Sequence, residues 1–521
     1  MPILDWIGKE KVINHHMEVP FRVLEPSYTY GEDSGNMIIH GDNLSALKSL
    51  LPRYEGKIRC IYIDPPYNTG NEGWVYNDNV NDPRIRKWLG EVVGTEGEDL
   101  SRHDKWLCMM YPRLKLLHRL LADDGVIFIS IDSSEFSNLK MICDEIFGLS
   151  NFVDIISWFK KASPSNDAQF FSNDTEYILV YAMNKSIWRP NRLPLTEKQM
   201  KYYQNPDNDS RGAWNSATYT CNKSKTERPN LYYPIKNPFT GELVYPKETA
   251  VWKYSKDQTE ALQADNRLFW GTNGTAQFPR IKKFLFEHEG VVNRNMWHYD
   301  DVNHTQGATT ELKDIGISGF STPKPSKLIE RIIQIATDKY SIILDSFAGS
   351  GTTAHAVLNM NKQDGGNRKF ILIEMCDYAD SITAERVKRV INGYGDGKKK
   401  VDGTGGGFTF YELGETLLNG DLLNENIGAD KIREYVYFTE TKQELENKPD
   451  EPHFMGKYLD TAYYFYYEKD SVTTLNHTFL TTVKTTAESY VMYADRCILS
   501  DTELEKFHIT FKKIPRDIAR L

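Results

Sequence analysis

Asp64-Pro65-Pro66-Tyr67 places a carboxylate, two locked backbone carbonyls and an aromatic ring in four consecutive positions, directly after the apolar run Ile61-Tyr62-Ile63. The prolines fix φ and supply carbonyls without competing N–H donors. Such a group suits an exocyclic amine, whose lone pair is delocalised into its ring and is therefore a poor nucleophile. Asp64 and the Pro65 carbonyl can accept its two N–H bonds and hold the nitrogen in line with an electrophile. Tyr67 offers a face for a base taken out of its stack.

A second constellation begins at Ile342. The run Ile342-Ile343-Leu344 ends at Asp345 and is followed by Phe347, Gly349, Gly351 and a helical stretch from about Thr352. Glycines at a strand-to-helix turn let the backbone approach a ligand at the carboxyl end of a sheet. The next apolar run, Phe370 to Ile373, ends at Glu374, where a carboxylate can bind both hydroxyls of an adenosine ribose. The glycine turn also satisfies the dinucleotide pattern G-x-G-x-x-G/A, so a nicotinamide or flavin enzyme fits this element taken alone. It lacks the lysine of a phosphate-binding loop. A nucleoside-cofactor site and an acid-plus-ring site in one sheet together fit methyl transfer from S-adenosylmethionine to a base nitrogen.

These residues need a sheet to hold them. Residues 36–63 read as strand, helix, strand, with Leu44, Leu47, Leu50 and Leu51 on the helix. A helix over 104–122 precedes the strand GVIFISID and another helix through Leu139, Ile142 and Ile146. NFVDIISWFKK and TEYILVYAMN read as a strand hairpin closing the sheet. This alternation predicts an α/β domain with a mixed, mostly parallel, Rossmann-like sheet. From 186 to 318 the sequence turns rich in Asn, Gly, Pro, Tyr and Trp, which predicts an inserted loop-rich β module. The expected organisation is an N-terminal arm (1–35), a first half-domain (36–185), the insert (186–318), a second half-domain (319–395) and an α+β C-terminal domain (396–521). DGKKKVDGTGGG serves as a linker or long turn before the last of these.

Composition sets wider bounds. At 521 residues the chain predicts several domains, and 40% hydrophobic with 26% charged residues is ordinary globular composition. No run of eighteen apolar residues occurs, and the N-terminus carries acids and lysines, so a cytoplasmic protein without a membrane partner is expected. The six cysteines form no C-x-x-C pair, which predicts reduced thiols and no metal site. The net charge of −9 is unevenly spread: 401–521 carries 13 basic and 21 acidic side chains, whereas 155–240 carries 12 basic and 7 acidic. A basic face for nucleic acid is compatible with that distribution.

With both motifs, the sequence resembles the amino-methyltransferases of DNA, specifically the adenine-N6 type with D-P-P-Y. The catalytic motif precedes the F-x-G-x-G loop, which is similar to the permuted beta group, whose target recognition domain occupies the gap. HGDNLSALKSLLPRYEGKIRCIYIDPPYNTG, GVIFISIDSSE and STPKPSKLIERII are similar to the Mod subunits of Type III restriction–modification systems. The resemblance covers most of residues 10–400 and part of the tail. It implies an adenine-specific DNA methyltransferase that flips its target base, with Asp64, Pro65, Pro66 and Tyr67 catalytic and S-adenosylmethionine as cofactor. Asp345, Phe347, Gly349, Gly351, Thr352 and Glu374 would contact the cofactor, with Lys324 and Pro325 in the segment over it. Asp42 would approach the adenine of the cofactor, or cap the helix after it. Asp132 and Glu135 read as helix caps. The insert would read DNA through residues such as Arg189, Arg192, Arg211, Lys223, Lys225 and Arg228. The implied partners are double-stranded DNA, a second copy of the chain and a restriction (helicase/nuclease) subunit.

Alternatives are cytosine-N4 methylation, against which Asp in place of the more usual Ser argues, and a DNA-recognition subunit that binds the cofactor without turnover. A protein- or RNA-modifying relative would more often carry Asn-Pro-Pro-Tyr and lack a long insert.

Overall fold

The computed structural model describes residues 3–69, 102–164, 168–420, 422–443, 445, 451–469 and 471–519. It divides into two compact units, Met1–Asn191 with Arg294–Leu521, and Arg192–Asn293.

The first unit is built on one ten-stranded sheet. Its strands are β1 (Arg22–Gly31), β2 (Met37–His40), β3 (Ile58–Ile63), β4 (Leu121–Ile131), β5 (Phe152–Phe159), β6 (Thr175–Ala182), β7 (Met296–Trp297), β8 (Ile342–Asp345), β9 (Lys369–Glu374) and β10 (Gly407–Thr416). Their order across the sheet is β1-β10-β2-β9-β8-β3-β4-β6-β5-β7. The six strands from β10 to β4 are mutually parallel, β1 runs antiparallel to β10, β6 runs antiparallel to both β4 and β5, and β7 pairs in parallel with β5. Parallel strands covered on both faces read as continuous apolar runs, and β3, β8 and β9 do so.

The flanking helices are α1 (Asn43–Tyr54), α2 (Arg102–Leu120), α3 (Phe136–Phe147), α4 (Thr305–Asp314), α5 (Ser326–Ala336), α6 (Thr352–Asp364) and α7 (Glu385–Asn392). Helix α5 shows why they dock: Leu328, Ile329, Ile332, Ile333 and Ala336 recur at helical spacing and are all buried.

Two boundaries differ from the sequence expectation. Strand β10 lies within the supposed C-terminal domain, yet it joins the main sheet between β1 and β2, its Thr409 and Phe410 opposite Met37 and Ile38. Alternating Phe408 and Phe410 bury one of its faces, which explains why it cannot stand apart. The compact inserted unit is also narrower than 186–318, because β7 pairs with β5 and α4 supplies Glu311 to buried groups of the first unit.

The second unit carries a three-stranded antiparallel sheet from Leu268–Phe269, Arg280–Phe284 and Trp214–Thr218. Its core is aromatic, with Tyr219, Trp252 and Trp270 almost fully buried. Near the C-terminus, Phe454–Tyr458, Thr461–Phe465, Ser489–Ala494 and Ile509–Lys513 form a four-stranded sheet, and the aromatic run YLDTAYYFYY supplies its interior. No helix among the described residues is long and apolar enough to cross a membrane.

Candidate active site

Four parallel strands, β2, β9, β8 and β3, end side by side, as the pairing of Ile371 with Met37, Leu344 with Ile371 and Leu344 with Ile61 requires. Just beyond or at those ends stand Asp42, Glu374, Asp345 and Asp64. The two motifs, far apart in sequence, therefore meet at one edge of the sheet, where open α/β sheets bind ligands.

Asp64 is buried, 6% exposed, and fully used. Its Oδ1 accepts from the Tyr67 hydroxyl at 2.7 Å, and the Lys324 ammonium lies 2.9 and 2.8 Å from its two oxygens. The Tyr67 hydroxyl also lies 3.1 Å from Glu176 Oε2, a second, longer acceptor for its one proton, and accepts from Lys324 at 2.8 Å. Trp106 donates to the Pro66 carbonyl at 2.6 Å, whereas no donor among the described residues reaches the Pro65 carbonyl. Asn68, at φ 57°, donates to the fully buried Glu135, which fixes the turn leaving the motif. Burial, and then the charge of Glu176, push the Asp64 carboxyl up against the pull of Lys324. Burial disfavours the Lys324 ammonium, but Asp64 and Glu176 outweigh it and hold the lysine charged. Burial acts likewise on Glu176, and Lys324 and Lys160 overcome it, leaving Glu176 below the ordinary carboxylate range.

Lys324, in the segment expected over the cofactor, places its ammonium on the catalytic motif. Its segment still touches the glycine loop, because its carbonyl accepts from Thr352 Oγ1 at 3.2 Å. Pro325 is the N-cap of α5, with φ −72°.

The second motif is differently charged. Asp345 accepts from Thr353 Oγ1 and, at 3.0 Å, from the Phe347 amide. Glu374 accepts from the Gly349 amide at 2.8 Å and the Cys376 amide at 3.0 Å. Both are 2% exposed, and among the described residues neither has an ion-pair partner. Burial pushes Asp345 up to about 7, with Asp64 and Glu374 adding to the rise. Burial raises Glu374 too. Beside them, Asn43 Oδ1 and Ser346 Oγ are buried polar atoms without a partner, the residues being joined through Asn43 Nδ2 and the Ser346 carbonyl. A clustered, uncompensated pair of carboxylates with orphaned acceptors fits a cationic ligand bearing hydroxyls.

The glycines do this in two ways. Gly349 and Gly351 have φ of 53° and 80°, in the left-handed region. The close approach at Gly351 is internal, since a Cβ there would stand 2.9 Å from the Thr383 carbonyl. From behind, the buried Arg386 donates to Ser350 Oγ at 2.9 Å and Thr352 Oγ1 at 2.8 Å.

Asp42 is the N-cap of α1, accepting from the Ser45 amide at 2.8 Å. Glu135, read as a cap, makes no capping bond. It receives Asn68, His103 and Asn138 instead. Asp132 accepts from the Ser134 amide at 2.8 Å.

The expected DNA-reading cations are largely engaged. Arg211 forks onto Asp209, at 2.9 and 2.8 Å, and reaches Asp265, so it braces the second unit from within. Lys223 pairs with Glu227, Lys225 with Glu248, and Arg192 with Glu289 at 3.5 Å. Such exposed pairs are weak enough to exchange for phosphate. Arg189 donates to the Lys185 and Trp188 carbonyls, and Arg228 is exposed. Exposed Arg280 and Lys283, on the central strand of the small sheet, escaped the sequence reading.

Glu176 and Lys160 also escaped it. The available signal was an acid as the second residue of an otherwise apolar strand, TEYILVYA.

Similarity to known proteins agrees with this geometry. A family model described as DNA methylase matches residues 58–385. The Type III restriction-modification enzyme StyLTI Mod subunit of Salmonella typhimurium is 34% identical over 421 residues, 74% of this chain and 62% of the relative. The EcoPI Mod subunit of Escherichia phage P1 is 32% identical over 415 residues, 71% of this chain and 63% of the relative. The Type II methyltransferase M.KpnI of Klebsiella pneumoniae is 34% identical over 363 residues, 66% of this chain and 81% of the relative. The chain spans less than two thirds of the length of the two Mod subunits. With both motifs at one sheet edge and a family match across them, the chain belongs to the DNA methylase family.

Proposed function

We propose that the protein transfers a methyl group from S-adenosylmethionine to N6 of a flipped-out adenine in double-stranded DNA. The observation that carries this is the meeting of two unlike sites: the buried pair Asp345 and Glu374, without an ion-pair partner among the described residues, beside the clamped Asp64. The first pair suits a cofactor that is cationic at one end and carries ribose hydroxyls. When bound, S-adenosylmethionine supplies an electrophilic methyl on its sulfonium. Asp64 and the Pro65 carbonyl would accept the two N–H bonds of the adenine amine, turn its lone pair outward and favour positive charge on nitrogen as the N–C bond forms and the methyl–sulfur bond breaks. The nitrogen then loses one proton, with the cofactor left as the neutral thioether. Buried donors and acceptors are worth most in such a water-poor site.

The names of the StyLTI and EcoPI relatives place them in restriction–modification enzymes, and we assign this chain a modification role of that kind, in the cytoplasm. Homodimer formation and pairing with a restriction subunit are part of this reading. Mapping modified bases in a host that expresses the chain tests it. Methylated adenine within one recurring sequence is the expected result, and an unmodified genome contradicts it.

A further inference from the structure

Lys324 makes contacts that a target amine would make. Its ammonium bridges both oxygens of Asp64 at 2.9 and 2.8 Å. It also stands at the hydroxyl end of Tyr67, 2.8 Å from the hydroxyl oxygen and 4.9 Å from the ring centre. The same nitrogen lies 3.4 Å from Glu176 Oε2. Glu176 is held ready by two other contacts, Lys160 at 3.2 Å on Oε1 and the Tyr67 hydroxyl at 3.1 Å on Oε2. Asp64, Tyr67, Glu176 and Lys324 are each no more than 8% exposed. A lysine displaced from Asp64 would be a stranded buried charge unless a second carboxylate received it, and breaking a buried pair on one side is strongly unfavourable.

We propose that Lys324 holds the place of the target amine in the base-free site and that Glu176, outside the catalytic motif, takes over its ammonium when the base enters. The inference rests on the methyltransferase reading above. Glu176 is a positioning residue: it touches neither base nor cofactor and acts through Lys324 and Tyr67. The exchange requires little motion, since Lys324 already stands between the two carboxylates. It also gives a role to an acid buried in an apolar strand, and to Lys160, which keeps Glu176 ionised from the far side. Asp132 adds a further acid near Glu176, and Tyr62 and Asp345 face Asp64.

The test compares wild type with Glu176→Gln, Glu176→Gln/Lys324→Gln and Lys160→Gln, measuring kcat/KM for DNA against pH and S-adenosylmethionine affinity by calorimetry. Glu176→Gln leaves Lys324 trapped on Asp64, so kcat/KM should fall by about tenfold or more while cofactor affinity holds. Its acid limb should move down by roughly half to one pH unit, because an anion beside Asp64 is gone. Lys160→Gln, at a partly exposed residue, should move that limb up. The double variant should regain part of the missing activity, since no ammonium is left to block Asp64. Limbs unmoved in both single variants, or a double variant no more active than Glu176→Gln, would overturn the inference. A wild type that methylates no DNA refutes the methyltransferase reading itself, which separates the two failures.

Discussion

At the scale of residues, Tyr67 carries more than its ring. A ring-only role expects Tyr67→Phe to retain substantial activity, because the π-face survives. The hydroxyl, however, touches Asp64, Glu176 and Lys324 within 3.1 Å. Removing it leaves buried charged partners underbonded, so Tyr67→Phe should lose roughly 1–3 kcal/mol of transition-state stabilisation. Tyr67→Ala should lose roughly a further 1–3 kcal/mol, the scale of one base–aromatic stack. A mispair opposite the target lowers the cost of extrusion and should rescue the alanine variant in part. Single-turnover kinetics on paired and mispaired duplexes decide it, and Phe equal to wild type would remove the hydroxyl from the mechanism.

At the scale of elements, the loops after β8 and β9 predict how cofactor binding depends on pH. Asp345 has an ordinary pKa of 3.8 and is raised to about 7 by burial. The folded chain therefore holds a proton that the unfolded chain releases, so this residue makes stability fall as pH rises from 3.8 to about 7, with no further loss above. A cationic cofactor needs the ionised form, so affinity should weaken by up to about tenfold per unit below pH 7. Asp345→Asn should bind weakly at every pH and lose that slope, as calorimetry between pH 6 and 8 would show. Glu374→Ala should cost about 1.5–3 kcal/mol of cofactor binding without altering cofactor-free DNA affinity. These loops were legible in the sequence because apolar runs ending in an acid and glycines are local patterns. The same locality revealed β3, β4 and the β5–β6 hairpin. Lys324 and Glu176 were not assigned to the catalytic motif because each reaches Asp64 or Tyr67 across strands that only tertiary structure brings together. β10 was misplaced for a related reason: its partner β2 lies hundreds of residues earlier, and the glycine-rich stretch before it looks like a domain boundary.

At the scale of the whole molecule, the proposed function assigns methyl transfer and DNA reading to different units. Unit Arg192–Asn293 has its own aromatic core and exposes Arg228, Arg280 and Lys283, with Arg280 bonded only to Ser216 among the described residues. Reversing these charges together should weaken binding to all DNA sequences and flatten the salt dependence by about one unit of slope for each phosphate no longer neutralised. Cofactor affinity should not change, because Asp345 and Glu374 belong to the other unit. Fluorescence anisotropy across a salt series measures the first effect, and unchanged affinity would place the DNA surface elsewhere. Every other expectation depends on Asp64 presenting an adenine amine for methylation. Purified protein, methyl-labelled S-adenosylmethionine and duplex DNA, followed by digestion to nucleosides and mass spectrometry, test it in one measurement. Label should appear in N6-methyladenine alone, and not at all with Asp64→Ala despite intact cofactor binding. Label in N4-methylcytosine, or undiminished transfer by the alanine variant, would contradict this role for Asp64.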